Sequence, residues 1–162
     1  MKEEEKIKRC CFSGHRDLPY GNKEKIADIL DKVVCDLSEK GYNEFISGGA
    51  LGFDLLAAEV VLQKKRDMTN LKLIMALPCR GQELKWSAAD KKRYEKVLEN
   101  ADEIIYVTEA YCTGCMQLRN KFMVENSSIC IAYKTRRSGG TAYTVDYAKE
   151  KGLGIINLSE LL

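Results

Sequence analysis

The stretch "SGGALGFDLLAAE" (Ser47–Glu59) joins a short apolar run, "NEFIS", to a longer amphipathic segment, "GFDLLAAEVVLQKKR". Three glycines crowd the junction, and Asp54 stands at the start of the apolar face. Glycine lets a backbone come close to a ligand, and a helix start offers unpaired N–H groups with partial positive charge. The stretch therefore predicts a strand, a tight turn suited to an anion and a helix, which is the repeating unit of parallel α/β sheets.

The same alternation of short apolar runs and amphipathic segments continues along the chain. The predicted strands are Ile7–Gly14, Asn43–Ser47, Leu71–Pro78, Asp102–Thr108, Ser128–Lys134 and Gly154–Leu158. The predicted helices are Asn22–Gly41, Gly52–Arg66, Ser87–Ala101, Gly114–Ser127 and Gly139–Gly152. This pattern predicts an α/β fold, a Rossmann-like, doubly wound, mainly parallel sheet with helices on both faces. Because no linker divides the chain, we expect residues 1–162 to form one domain.

Charge and cysteine content narrow the classes of function. The chain has 26 basic and 24 acidic side chains, so its formal charge of +2 argues against nucleic acid or a membrane surface as partner. The N-terminus lacks the apolar centre of a signal peptide and no run has membrane-spanning length, so we expect a cytoplasmic protein. Of the seven cysteines, Cys112 and Cys115 have redox-like or metal-like spacing, with two ordinary reduced thiols as the alternative. No metal site is expected, because a second ligand pair is missing.

Candidate ligand-binding residues follow the predicted strands. Ligands of open parallel sheets bind beyond the carboxyl ends of the strands, where the strand order reverses. Two glycine-rich turns, predicted at one edge of the sheet, favour a phosphate-bearing ligand whose anion both turns contact. The residues that we expect to bind it are Ser13, Gly14, His15, Arg16, Gly48, Gly49, Gly52, Asp54, Ser138, Gly139, Gly140 and Thr141. A bulky residue at Gly48 or Gly140 is expected to remove binding and to leave the fold intact.

Asp54, Arg16 and Trp86 each have two interpretations, whereas His15 has one. Asp54 either accepts hydrogen bonds from ribose hydroxyls or caps its own helix. His15, the only histidine, is expected to contact the ligand through its imidazole. Arg16 either pairs with a phosphate or is solvated. Trp86 either stacks on a base or packs in the interior.

A basic cluster precedes the second glycine turn. Lys134, Arg136 and Arg137 lie within four residues of one another, just before Ser138. They either clamp a phosphate or keep the loop soluble. The sequence leaves both interpretations open.

Taken together, these motifs resemble the SMF/DprA–LOG (SLOG) superfamily of Rossmann-like domains, and most of all its YpsA-type branch. The resemblance extends over nearly the whole chain, and the segments that carry it are "FSGHR", "SGGALGFDLLAAE", "QELKW", "YEKVLENADEIIYV", "RNKFMVENSSICIAY" and "GGTAYTVDYAKEKG". The first glycine turn is also similar to the DprA signature, in which Gly-x-Asp precedes an Ala-rich helix.

A further resemblance is to the LOG phosphoribohydrolases, which pair Met-x-x-Arg-Lys with Pro-Gly-Gly-x-Gly-Thr-x-x-Glu. "MQLRN" places Arg119 at the catalytic arginine position, and "SGGTAYTVD" places Asp146 at that of the catalytic glutamate. The departures from the LOG pattern are Ser138, Ala142, Tyr143 and Asp146. An aspartate is one methylene shorter than a glutamate, and catalytic geometry is sensitive at that scale. The resemblance therefore supports the pocket better than the reaction.

The resemblance implies a nucleotide-derived ligand, such as NAD, ADP-ribose or a nucleoside phosphate, bound by a sensor or regulatory module. Such a module passes its ligand state to a protein partner, and the resemblance also implies self-association. The alternative is an N-glycosidase or phosphoribohydrolase, in which Arg119 holds the phosphate and Asp146 acts at the ribose. Single-stranded DNA binding, as in DprA, is a third function, against which the near-neutral charge argues. No cofactor beyond the nucleotide-type ligand is expected to be required.

Overall fold

The computed structural model describes residues 1–19 and 21–162, and these residues form a sheet of six parallel strands. The strands are β1 Arg9–Gly14, β2 Glu44–Ser47, β3 Lys72–Leu77, β4 Glu103–Tyr106, β5 Ile129–Tyr133 and β6 Gly154–Asn157. The helices are α1 Glu3–Lys6, α2 Lys23–Glu39, α3 Phe53–Lys65, α4 Ala88–Asn100, α5 Cys115–Glu125 and α6 Gly140–Glu150, and a 3₁₀ turn at Leu158–Glu160 follows β6.

The order of the strands is β4-β3-β2-β1-β5-β6. The chain runs outward from β1 to β4 and then returns to the other side of β1, where Gly14 pairs with Tyr133 of β5. The order therefore reverses between β1 and β5, which is where open parallel sheets bind ligands. The predicted Rossmann-like, doubly wound sheet is confirmed, and every strand pair in it is parallel.

Two hydrophobic layers cover the two faces of the sheet. Successive side chains of a strand point to opposite faces, so Phe12 belongs to the layer that contains residues of α2, α3 and α4, whereas Cys11 belongs to the layer that contains residues of α5 and α6. Buried apolar residues recur along α2 at helical spacing, from Ile26 through Leu30 to Leu37. Because the strands are apolar on both faces, they appear in the sequence as short continuous apolar runs that can be recognised.

The structure differs from the predicted elements mainly at the N-terminus. β1 begins at Arg9 rather than Ile7, because Ile7 is exposed and Arg9 is buried. The Arg9 guanidinium donates to the Glu44 carboxylate at 3.0 Å and to the Asn126 carbonyl at 2.7 Å. This charged pair lies at the amino end of β1 and β2, away from the carboxyl ends of the strands.

Candidate functional site

A cavity of about 380 Å³ lies at the carboxyl ends of β1 and β5. Its walls come from the end of β1 and the turn after it, the start of α3, the segment between β3 and α4, the first turns of α5 and the turn into α6. The predicted site residues that line this cavity are Ser13, Gly14, His15, Arg16, Asp54, Arg119, Ser138, Gly139, Gly140 and Thr141. The structure therefore brings both glycine-rich turns to the same edge of the sheet, as the sequence predicted.

Arg119 places a buried cation in the wall of this cavity. The residue is 3% exposed; its Nη1 donates to the Gly48 carbonyl oxygen at 2.6 Å and its Nε to Asn120 Oδ1 at 2.9 Å. Burial lowers the pKa of Arg119, and the negative charge of Asp54 opposes that shift. An arginine side chain carries five N–H donors and stays positive near neutral pH, so donors remain for an anionic ligand.

Asp54 is a buried carboxylate beside Arg119. Burial raises the pKa of Asp54 to about 6, against the opposing effects of the Arg119 charge and of a hydrogen bond from the Gly48 N–H. Gly48 lies in the turn before α3, so a hydrogen bond from its N–H to Asp54 does not cap the helix that contains Asp54. The Ser47 hydroxyl fixes the same turn, because it donates to the Asp54 backbone oxygen at 2.8 Å and accepts from the Gly49 N–H at 3.2 Å.

His15 connects two walls of the cavity. Its Nε2 accepts a hydrogen bond from the Thr135 N–H at 2.9 Å, and its ring packs edge-on against Tyr133 with centroids 5.9 Å apart. Burial lowers the pKa of His15, and the positive charge of Arg136 lowers it further. A neutral imidazole whose Nε2 accepts carries its hydrogen on Nδ1, so His15 ties the loop after β5 to the turn after β1.

The turn into α6 presents free backbone donors to the cavity. Gly139 and Gly140 are exposed, and a Cβ added at either would meet no atom within 4 Å among the described residues. The first N–H groups of a helix have no partner within it and carry partial positive charge. Arg136, just before this turn, is exposed and lines the same cavity.

The glycines of the first turn lie behind the cavity wall, not at its surface. Gly48, Gly49 and Gly52 were predicted to contact the ligand, but they do not line the cavity. Ala50 and Asp54 of the same turn do line it. Gly48 supports the Arg119 guanidinium: a Cβ there would lie 2.6 Å from Arg119 Cζ. Gly52 has φ 83°, and its Cβ would lie 2.5 Å from the His15 carbonyl oxygen. These glycines are needed for close packing under the cavity.

Asp146 does not reach the cavity. It is exposed on α6, whose buried face consists of Thr141, Ala142, Thr144, Val145 and Ala148. At 3.6 residues per turn, Asp146 points away from that face. The structure thus separates Asp146 from Arg119, the residue with which the LOG pattern pairs it.

Other residues with two interpretations are also placed. Trp86 lines the cavity and packs edge-on against Tyr94 with centroids 5.0 Å apart, so it packs partly in the interior, and base stacking stays a prediction. Arg16 lines the cavity, whereas Lys134 and Arg137 do not. The Lys134 backbone instead pairs with the Asn157 side chain at 3.0 and 3.1 Å.

Sequence reasoning missed four polar or flexible side chains of the cavity wall, namely Asp17, Gln82, Met116 and Asn120. Met116 and Asn120 lie three residues before and one residue after Arg119 on α5, so helical spacing from Arg119 could have found Met116. Gln82 Nε2 donates to the Gly48 carbonyl oxygen at 3.2 Å and to the Tyr94 hydroxyl at 3.0 Å. Gln82 lies in the irregular segment after β3, and no sequence pattern indicates where such a segment folds back.

All seven cysteines are free; Cys112 is exposed and Cys115 is buried at the start of α5. Within residues 1–19 and 21–162, no cluster of three or more histidine, cysteine, aspartate or glutamate side chains is arranged to hold a metal ion. In the same part of the chain, every helix is too short or too polar to span a bilayer.

A parallel six-stranded sheet with a cavity at its reversal point defines a Rossmann-like α/β protein. The chain belongs to the YpsA (YspA SLOG) family, whose model matches residues 19–154. This finding confirms the family that the sequence motifs indicated.

Its relatives include two bacterial proteins. A UPF0398 protein of Halalkalibacterium halodurans is 31% identical over 140 residues, which cover 85% of this chain and 71% of that protein. The SPbeta prophage-derived protein YoqJ of Bacillus subtilis is 33% identical over 144 residues, which cover 82% of each chain.

Two solved structures of DNA processing protein A (DprA) share the fold. The Streptococcus pneumoniae protein matches with a TM-score of 0.67 and 17% identity over 93% of this chain, which spans about half of that protein. The Helicobacter pylori protein, whose structure concerns its single-stranded DNA binding mode, matches with a TM-score of 0.67 and 19% identity over 95% of this chain and 67% of that protein. At these identities the similarity is one of fold.

Proposed function

We propose that this protein binds a nucleotide-derived ligand in the cavity at the ends of β1 and β5, and that it does so as a sensor or regulatory module. The observation that carries this proposal is the buried Arg119 guanidinium, which faces the same cavity as the open N-terminus of α6. A buried cation and a row of unpaired backbone N–H groups together favour a phosphate.

The remaining wall residues suit the other parts of a nucleotide. The Asp54 carboxylate can accept hydrogen bonds from ribose hydroxyls when it is ionised, as acidic residues do in dinucleotide-binding folds. Trp86 offers an aromatic face on which a base can stack. The cavity volume of about 380 Å³ is near the lower end of the range for small-molecule sites, roughly 300–1,000 Å³. This volume favours a ligand of mononucleotide size within this cavity.

A binding module is favoured over an enzyme because Asp146, the carboxylate that the LOG pattern requires, is exposed outside the cavity. An N-glycosidase built on this fold would have to use Asp54 or Asp17, the two carboxylates of the cavity wall. Incubation with AMP or ADP-ribose, followed by chromatography, separates the two functions. If the wild type releases free adenine or ribose phosphate and Asp54→Asn does not, the protein is an enzyme and not a sensor.

Single-stranded DNA is the competing ligand, since the Helicobacter pylori structure with this fold concerns that function. The basic residues near the cavity, Arg16, Arg136 and Arg137, would be the contacts for its phosphates. Nucleic-acid binding of this kind weakens steeply with added salt. Affinity for an oligonucleotide that exceeds affinity for AMP and falls with salt would favour DNA.

The test is calorimetric titration of AMP into the wild type and two matched variants. Arg136→Ala removes an exposed cation of the cavity wall, whereas Arg137→Ala removes its exposed neighbour outside the wall. We expect Arg136→Ala to weaken AMP binding roughly tenfold, the value of one charge-assisted contact, and Arg137→Ala to leave it unchanged. Absence of binding by AMP and ADP-ribose at millimolar concentration would contradict the proposal.

A further inference from the structure

A second cavity, of about 540 Å³, lies between α5 and α6 and borders the first. The two cavities share four lining residues, namely Met116, Asn120, Gly139 and Gly140. The N-terminus of α6, at Gly139 and Gly140, therefore stands between two spaces and not at the end of one. Because neither glycine has a side chain and their surroundings are open, a ligand can pass over them from one cavity to the other.

The walls of the second cavity combine aromatic rings with hydrogen-bonding groups. Tyr143 is 59% exposed, although it is a large aromatic residue, and its ring borders the cavity. Tyr147 forms another part of the wall; its hydroxyl donates to Glu125 Oε1 at 2.6 Å, and Lys121 Nζ lies 5.7 Å from its ring centroid. Gln117 adds a side-chain amide. Rings with a few polar groups are the usual lining of sites that bind a ring-containing ligand.

We propose that the α5–α6 cavity binds the distal ring of a small nucleotide whose phosphate or pyrophosphate group links two ring systems, as in a pyrophosphate-linked sugar or a dinucleotide. This inference rests on the proposed function, which places the phosphate at the N-terminus of α6. A phosphate held there has a ring-sized space on each side, and a phosphate monoester such as AMP fills only one of them. Tyr143, which stands where the LOG pattern has threonine, supplies the exposed ring.

A single strand of DNA also carries rings on both sides of a phosphate, but the geometry favours a small ligand. The two cavities together have room for two ring systems, and the formal charge of the whole chain is only +2. Binding along a strand relies on a positively charged groove that follows the backbone. The oligonucleotide is therefore a separate arm of the test.

The test compares AMP, ADP-ribose and an eight-residue oligothymidylate by calorimetry on the wild type, Tyr143→Ala and Tyr111→Ala. Tyr111 is 74% exposed and lines neither cavity, so it is a matched control. We expect ADP-ribose to bind more tightly than AMP and Tyr143→Ala to weaken ADP-ribose on the order of tenfold, the effect of removing one stacking ring. AMP affinity should stay the same in Tyr143→Ala, and Tyr111→Ala should change the affinity for neither AMP nor ADP-ribose.

The outcomes separate this inference from the proposed function. Binding of AMP with no preference for ADP-ribose, or ADP-ribose affinity that Tyr143→Ala leaves unchanged, overturns the distal subsite and leaves the nucleotide site standing. Tightest binding of the oligonucleotide, weakened by Tyr143→Ala, assigns the second cavity to DNA and overturns the small ligand. Absence of binding by all three probes overturns both.

Discussion

Replacing Gly48 by alanine is expected to displace Arg119 and to lower both stability and ligand affinity. The new Cβ would lie 2.6 Å from Arg119 Cζ and 2.8 Å from its Nε, closer than real Cβ atoms come to other heavy atoms. Gly48 lies outside the left-handed region of backbone conformation, so this clash is the main cost of the change. The clashing atoms belong to the guanidinium that donates to the Gly48 carbonyl oxygen at 2.6 Å, so we expect its displacement to break that hydrogen bond.

The expected loss follows from that bond. A hydrogen bond to a charged group contributes about 1.5–3 kcal/mol. In a chain of this length each kcal/mol changes the melting temperature by about 2–4 °C, so we expect a decrease of roughly 3–12 °C. Affinity for AMP should fall by about tenfold or more, because Arg119 no longer holds the position that faces the phosphate. Circular dichroism melts and calorimetric titration measure the two effects.

Gly140→Ala is the matched control for this change. Its Cβ enters open space at the first position of α6, so stability should stay the same or rise slightly, while the methyl group obstructs the ligand. The sequence predicted an intact fold for bulky residues at both glycines; the structure separates the two positions. An unchanged melting temperature in Gly48→Ala, or a melting temperature that falls equally in Gly140→Ala, would refute the supporting role of Gly48.

Three further predictions concern single side chains. Because burial raises the pKa of Asp54 from 3.8 to about 6, the folded state favours its protonated form. The free energy of unfolding of the wild type, relative to that of Asp54→Asn, should therefore be highest below about pH 4 and fall by about 3 kcal/mol as the pH rises through 6. Urea denaturation measures this difference between the two proteins, and a difference that stays flat or rises with pH contradicts the prediction. His15 should be a neutral imidazole with its hydrogen on Nδ1 at pH 7, because Nε2 accepts from Thr135; ¹⁵N chemical shifts that put the hydrogen on Nε2 would exclude the bond. Asp146→Asn should change stability by less than about 0.5 kcal/mol and leave AMP affinity unchanged, because Asp146 is exposed outside both cavities; a clear loss of affinity in calorimetry would place it at the ligand.

The fold followed from the sequence because its signals are local. Apolar runs such as "FIS" in β2 and helical spacing such as Ile26, Leu30 and Leu37 in α2 are set by burial on one or two faces. Glycine turns at strand ends then predicted the edge of the sheet at which the cavity lies, since a parallel sheet with a reversal point brings those ends together. Of the predicted elements, β1 shifted by two residues because the buried ion pair of Arg9 outweighed the apolar character of Ile7.

The details of the site depended on contacts between distant parts of the chain. Gly48 and Arg119 are 71 residues apart, and only their packing shows that the glycine supports the arginine. Sequence alone identified the glycine as a residue without a side chain, which suits a close ligand and a close guanidinium equally well. The position of Asp146 depended on the rotation of α6 about its axis, which the burial of Thr141, Val145 and Ala148 sets.

The most direct measurement is a titration of AMP into ¹⁵N-labelled protein, followed by amide chemical shifts. A phosphate at the N-terminus of α6 predicts the largest shifts at the Gly140 and Thr141 amides, together with movement of the Arg119 side-chain signal. Shifts confined to other surfaces, or spectra that AMP leaves unchanged at millimolar concentration, would contradict a nucleotide site between β1 and β5.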